Sequence, residues 1–591
     1  MAVMATLAPL VRARNCTPGI NYCGSSLRAI AHGVNYDEQI REQLTLNGQI
    51  INEKTMQNSL FFCEGGRNGN IVLRKVCSYK DLDMCLDMGL GKDDKCMVAQ
   101  RIHFSGITAA FQHVDVAIVG GGLSGLSAAR NLAAAGKTFT ILEARGRVGG
   151  RVLNAKTGPS GVQEVGAEYL GPTQDRTLGL AASLGLKTYK TFDDGNTTVW
   201  RNGTVSTFLP DPATGGLLPL RPEALAQVMP VVEELGKLAA EMAVDSPWDH
   251  PSAEEWDSMT CESYLRSRLN DTDALFVFDL IFEAVLSTTP SEPSLLYWLS
   301  YIASAGNSTM PGSLSRLLTT KDGAQESRIV GGTALLATKL AERLGYRNIR
   351  LNAPVHRIVQ GNKHVSVYWN DKMLTADHVV VAMPPPLAGR IAYEPALPAR
   401  RDQLTQRMPM SSIGKAIAVY PKPWWRKEGV NGQALSDSGI TRATFDNSPS
   451  DGSYGAIMGF IGADSMRGLD LEEEDKVEEL FVADLVRYFG PQAANTTDFI
   501  LQRWDLEPYS RGGPVAYGPP GLLTKFGPFL RKPFGKIHFA GTETADYWVG
   551  YMDGAIRSGE RVAKEIVGNF NNNYSNNNNN NNHNNNKSRS A

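Results

Sequence analysis

From Val114 onward, apolar positions come in short bursts whose period changes repeatedly. Val114, Val116, Ala117, Ile118 and Val119 form a β-rich run, the pattern of a strand buried on both faces. From Ser124 to Ala135 the pattern turns helical, and Gly136 is a stop signal. Thr138 to Leu142 predicts a second strand, which ends at Glu143. Arg176 to Leu184 reads as a helix closed by Gly185, and Glu223 to Met242 as an amphipathic helix with a kink or fresh start at Pro230. Thr260 is placed to cap a further helix. Asn348 to Ile358, His364 to Trp369 and His378 to Met383 predict strands, the last stopped by Pro384, Pro385 and Pro386. Beyond Ile391, Ser412 to Tyr420 and Tyr454 to Ile461 are β-like, and Glu473 to Phe489 is helical.

Glycines sit where the first strand meets its helix. Gly120, Gly122 and Gly125 give G-x-G-x-x-G between them, with Ser124 inside the motif. Glycine permits the tight turn and lets backbone approach a pyrophosphate, and the helix start offers free N–H groups and a positive dipole end. Glu143 follows about 20 residues on, where a carboxylate accepts from ribose hydroxyls. Strand, glycines, helix, strand and acid in this order predict dinucleotide binding. A plain Gly-rich turn would not need the acid.

Two further stretches narrow the choice. The run Glu143-Ala144-Arg145-Gly146-Arg147-Val148-Gly149-Gly150-Arg151 extends the fingerprint and supplies two cations, Arg145 and Arg151, suited to a diphosphate. Near the other end, the stretch Ile537 to Ala555 reads as a strand, a Gly-containing turn, an aromatic loop and a helix. Ala555, Gly559, Val562, Ala563 and Ile566 recur there at helical spacing, so one face is buried. With Glu164 to Gln174 between them, these stretches make the chain resemble flavin monoamine oxidases over roughly residues 113 to 567.

That resemblance implies an α/β fold in which a Rossmann-like FAD-binding domain is interleaved with an α+β substrate domain. The FAD-binding parts are expected at about 113–190, 322–388 and 530–567, and the substrate parts at about 191–321 and 389–529. It implies oxidation of an amine to an imine by hydride-equivalent transfer to flavin N5, reoxidation by O₂ to give H₂O₂, and hydrolysis to an aldehyde and ammonia. Carried over residue by residue, Lys415 matches the lysine that reaches flavin N5 through water, Tyr551 one wall of an aromatic cage, and Trp504 a tryptophan beside the flavin. Val355 matches an adenine contact, and Glu543 would hold ribityl hydroxyls, with Met552 beside it. Gln325 and Leu318 match cavity-lining positions. A lysine among Ile413, Ile417 and Val419 on one strand face also calls for a partner on physical grounds.

The departures are informative. Gly513 stands where covalent members carry the flavin-linking cysteine, so noncovalent FAD is expected, and Pro514 replaces the second cage tyrosine. The alternatives are an L-amino acid oxidase, for which Arg442 and Arg511 are the candidate carboxylate holders, a polyamine oxidase, and a noncatalytic flavin-binding interaction protein.

Length and composition add bounds. The 591 residues are 42% hydrophobic and 20% charged, with a net charge of −2, so more than one domain is expected and no nucleic-acid partner is implied. Cys16, Cys23, Cys63, Cys77, Cys85 and Cys96 all precede the fingerprint, and only Cys261 follows it. Residues 1–112 therefore read as a Cys-rich extension, either disulfide-bonded in an oxidising compartment or reduced and partly disordered. No C-x-x-C pair occurs, and no metal site is expected. The tail 568–591 is Asn-rich and expected to be disordered. It stands where membrane-bound relatives carry an anchor helix, and no apolar run reaches the ~18 residues of a span. A soluble protein is the expectation, the cytoplasm slightly favoured and secretion left open by the Cys-rich segment, with an amine and O₂ as reaction partners and a homo-oligomer as the candidate assembly.

Overall fold

The computed structural model describes residues 113–568 apart from 159–160 and 211–217. Before them it describes 21–23, 40, 44, 59–65, 70–76, 83–86 and 95–98. The chain divides into two compact units, Met1–Ala110 and Phe111–Ala591. In the first, Asn21–Cys23, Ser59–Gly65 and Asn70–Val76 form an antiparallel sheet, and Asp83–Leu86 pairs with Lys95–Val98. The expectations for cysteine pairing in this segment and for the Asn-rich tail lie outside the described residues.

The second unit is built on two sheets. β1 (His113–Val119) leads into helix α1 (Leu123–Ala134) and then β2 (Phe139–Leu142), all within one or two residues of the predicted bounds. β1 lies between β2 and the long β3 (Lys372–Ala382), parallel to both. β3 serves two neighbours along its other edge. Its first half pairs antiparallel with Val365–Trp369, and its second half pairs parallel with β5 (Ile537–Ala540). This eight-stranded sheet so brings strands from both ends of the second unit onto the two edges of β3.

The second sheet has seven strands. Next to its edge strand Asp498–Arg503, β4 (Ile413–Tyr420), buried at every residue, pairs on its other side with Gly455–Gly462. Against these sheets stands an apolar helical region in which Pro222–Ala240, Thr272–Leu286 and Leu295–Ser304 share one core.

The final helix, α2 (residues 552–568), docks on α1. Gly559 makes this approach feasible, because a Cβ there would meet the Ser124 carbonyl oxygen at 2.2 Å. The predicted buried face is observed, with Met552, Ile556, Val562, Ala563 and Ile566 in the core beneath β1.

Two local expectations are corrected. The helix Pro222–Ala240 runs through Pro230 without a fresh start; Pro230 is exposed, while Val228, Val231 and Leu235 anchor the buried face. The predicted strand Asn348 to Ile358 is two strands, Ile349–Arg350 and Val355–Gln360, separated where Asn352 turns left-handed at φ 54° ahead of Pro354. Within the expected substrate part, Asn196–Arg201 and Thr204–Phe208 are strands.

Candidate active site

A cavity of about 460 Å³ gathers most of the singled-out residues. Gly120, Gly122, Ser124, Glu143, Arg145 and Arg151 line it, as do Val355, Met552, Lys415, Trp504 and Tyr551. Gln325, Leu318, Gly513 and Pro514 complete the predicted set. The two glycine-bearing signatures touch directly. The Gly541 amide donates to Ser124 Oγ at 3.0 Å, and Arg151 Nη1 donates to Glu543 Oε1 at 2.7 Å.

Two predicted cofactor residues do not face the cavity. Gly125 packs against the turn, where a Cβ would lie 2.0 Å from the Gly120 carbonyl oxygen, so its part is to let α1 start close to β1. Glu543 is buried behind the lining. Both its oxygens accept from Arg151, at 2.7 and 3.2 Å, so it orients that guanidinium instead of presenting its own carboxylate. Arg151 also donates to the Pro514 carbonyl at 2.6 Å. Arg145 is steadied by Glu507 Oε1 and Ser510 Oγ, 3.2 and 2.9 Å away.

Three observations test the fit to a flavin dinucleotide. No side chain caps α1, whose N-terminus opens at Gly122 on the cavity wall, so backbone N–H groups remain for an anion. Glycines make the cradle: a Cβ on Gly150 would sit 3.4 Å from the Gly122 Cα. Gln325 Oε1 and Tyr169 Oη are buried in the lining without hydrogen-bond partners, as groups that await a polar ligand would be. Glu143, held by the Gly121 and Arg145 amides at 2.6 and 2.9 Å, is a lining carboxylate that would serve as a ribose acceptor. The residues present fit the group.

Lys415 is where the structure adds most. It is buried in β4, donates to the Gly166 carbonyl at 3.2 Å and pairs with Glu168. The other Glu168 oxygen lies 2.8 Å from Arg328 Nε, a charge contact off the N–H axis, and Arg328 in turn binds Glu164. Lys415, Glu168, Arg328 and Glu164 thus alternate in sign, each with a side chain no more than 3% exposed. Burial pushes the Glu164 carboxyl up against the pull of Arg328. Burial opposes charge on Arg328, but Glu164 and Glu168 outweigh it and hold the guanidinium well above its usual range. Sequence reading passed over Glu168 and Arg328. The available signal was the lysine itself, because a buried ammonium demands counter-charge and the nearest Gly-rich loop carries two glutamates.

The far wall is aromatic. Tyr551 stands edge-on to Trp548 at 4.8 Å between ring centroids, and Tyr301 lies 6.3 Å off on its other side. Burial raises the Tyr551 hydroxyl above its ordinary range, so it stays neutral. Phe445, Phe460 and Val285 also line the space.

Comparison with known proteins agrees with this geometry. Residues 123–567 match the family of flavin containing amine oxidoreductases. The probable flavin-containing monoamine oxidase A of Dictyostelium discoideum is 35% identical over 454 residues, 76% of this chain and 97% of that protein. The flavin-containing amine oxidase A of Canis lupus familiaris is 35% identical, covering 77% and 85%. Among solved structures, cyclohexylamine oxidase from Brevibacterium oxydans aligns with a TM-score of 0.72 at 33% identity, over 77% of this chain and 99% of that one. Putrescine oxidase bound to putrescine aligns equally well at 30% identity. The fold and site define a flavin-dependent oxidoreductase, and the chain belongs to the flavin-containing amine oxidase family.

Proposed function

We propose that this protein is an amine oxidase that takes substrates with a single amino group on an apolar body and holds its FAD noncovalently. The family reaction, R–CH₂–NH₂ + O₂ + H₂O → R–CHO + NH₃ + H₂O₂, relies on bound FAD as the two-electron acceptor. The observation that carries the reading is the meeting of both glycine signatures with Lys415, Trp504 and Tyr551 around one cavity.

The residues divide the work. The α1 N-terminus, Arg145 and Arg151 supply positive field for a diphosphate, and Glu143 accepts from a ribose. Tyr551, Phe445, Phe460 and Leu318 enclose the amine body and exclude water. Lys415 presents its ammonium at the cavity wall, fixed by Glu168, where it can order a water and steady negative charge during the oxygen half of the reaction.

Charge pairing supports one amine over two. Among the described residues two carboxylates line the cavity, Glu143 and Glu168, and both are already engaged. No unpaired anion among the described lining residues awaits a second ammonium. The amino acid reading loses its cations likewise: Arg442 pairs with Glu283 at 2.9 Å, and neither it nor Arg511 lines the cavity. Noncovalent attachment is supported by the lining itself, which among the described residues contains no cysteine or histidine.

Anaerobic bleaching of the yellow protein with a monoamine, a diamine and an L-amino acid tests the substrate class. Monoamines should bleach it at least tenfold faster, and preference for either of the others defeats the reading. Acid precipitation should leave the flavin in the supernatant, whereas a yellow pellet would show a covalent link.

A further inference from the structure

A second grouping lies on the eight-stranded sheet, outside the cavity lining. His113 opens β1, His364 directly precedes the strand Val365–Trp369, and Asp377 lies in β3. The ladders place Thr375 beside His113 and Ala376 opposite Val365, so residues distant in sequence share one patch. His364 Nδ1 lies 3.0 Å from Asp377 Oδ1, and His113 Nε2 lies 3.5 Å from the same oxygen. All three atoms fall within 4.8 Å of one another.

The two nitrogen–oxygen separations suit a shared ion. With metal–ligand bonds of ~2.0–2.1 Å, neighbouring ligands at a tetrahedral ion stand about 3.3–3.4 Å apart. His113 Nδ1 is 3.0 Å from Thr375 Oγ1. An N–H donated to that hydroxyl leaves the Nε2 lone pair facing the cluster, the tautomer a ligand requires. The two imidazoles meet edge to face, with centroids 4.6 Å apart, so neither ring blocks the other's nitrogen. The ligand side chains are 30–48% exposed, which gives an ion entry and leaves water to complete its shell. Two imidazoles and one carboxylate favour a borderline transition ion over Mg²⁺ or Ca²⁺, which prefer all-oxygen sites.

We propose that His113 Nε2, His364 Nδ1 and Asp377 Oδ1 bind a divalent transition ion of the Zn²⁺ class. The ion ties the first strand of the catalytic body to the hairpin of Val365–Trp369 and β3. It is remote from the cavity lining, so its effect is on the stability of the sheet and not on turnover.

The test is a ZnCl₂ titration of the full-length, flavin-loaded protein by calorimetry, with accessible thiols alkylated to silence the N-terminal cysteines. His364→Ala, Asp377→Asn and Thr375→Val are titrated alongside. Wild type should bind one more zinc than His364→Ala or Asp377→Asn. Zinc should raise the wild-type Tm by a few degrees and leave theirs unchanged. Thr375→Val should keep the stoichiometry with affinity about tenfold weaker or more, as loss of an outer-shell partner predicts. Amine turnover should be alike in all four proteins. Equal zinc stoichiometry in wild type, His364→Ala and Asp377→Asn would overturn the site and leave an imidazole–carboxylate ion-pair cluster in its place.

Discussion

Lys415 shows what one ammonium inside an apolar strand demands of its surroundings. Its partner comes from a loop some 250 residues earlier, Glu168, and the balance extends through Arg328 to Glu164. Two cations meet two carboxylates, so the buried network sums to zero. Glu168→Gln leaves two buried cations facing a single carboxylate. A loss of about 3–5 kcal/mol in urea unfolding is expected, the usual cost of breaking a buried pair. Removing both charges with Glu168→Leu and Lys415→Met should recover part of that loss, because the charges that remain, Arg328 and Glu164, still cancel. Additive losses in the double variant would contradict the coupling. Lys415→Met alone should slow turnover on the order of a hundredfold, the scale of removing one preorganised group that steadies developing negative charge. At this scale the sequence showed that a charge was buried, but not which opposite charge met it.

The helix α2 illustrates the same limit between elements. Its buried stripe is legible from spacing, yet nothing local says that the stripe meets α1. Gly559 marks the contact, since a Cβ would also lie 2.8 Å from the Ala128 amide. Both neighbours are backbone and cannot step aside, so Gly559→Val should cost about 1–3 kcal/mol and weaken flavin retention. Gly179, in the helix Asp175–Ser183, has nothing within 4 Å of a built Cβ. Gly179→Ala should therefore stabilise by about 0.5–1 kcal/mol, and chemical denaturation of the two variants checks both signs.

β3 and β5 add a pH dependence. His378 Nδ1 lies 3.2 Å from His538 Nε2 across these neighbouring strands. Burial, with His538 and Lys536 nearby, lowers the His378 imidazole to about 4. The folded state resists a proton that the unfolded chain accepts near pH 6.5, so stability should fall as pH drops from about 6.5 towards 4. The loss is on the order of 2 kcal/mol after allowance for the water that reaches the ring. His378→Phe should flatten this slope in Tm measured from pH 7 to 5, and an unchanged slope would count against the assignment.

On the scale of the whole molecule, the family match begins at residue 123 and the second compact unit at Phe111. A chain starting at Phe111 is expected to fold, bind FAD and oxidise amines at a rate within a few-fold of the full chain. Colourless or inactive material would return the N-terminal segment to the catalytic account. Among the described residues, no helix is long and apolar enough to cross a membrane.

What the sequence determined by itself is local. The turn at Gly120 to Gly125, the helix it starts, the strands on either side and the aromatic loop before α2 follow from backbone freedom and hydrophobic period, which act over a few residues. Thr-rich edge strands such as Thr204–Phe208 escaped because exposed residues carry no burial pattern. The tertiary structure alone decided which charges cancel, which glycine admits a second helix and which side chains from different strands share a patch. Those outcomes depend on register and packing between segments hundreds of residues apart, where a shift of one residue would turn every side chain to the opposite face.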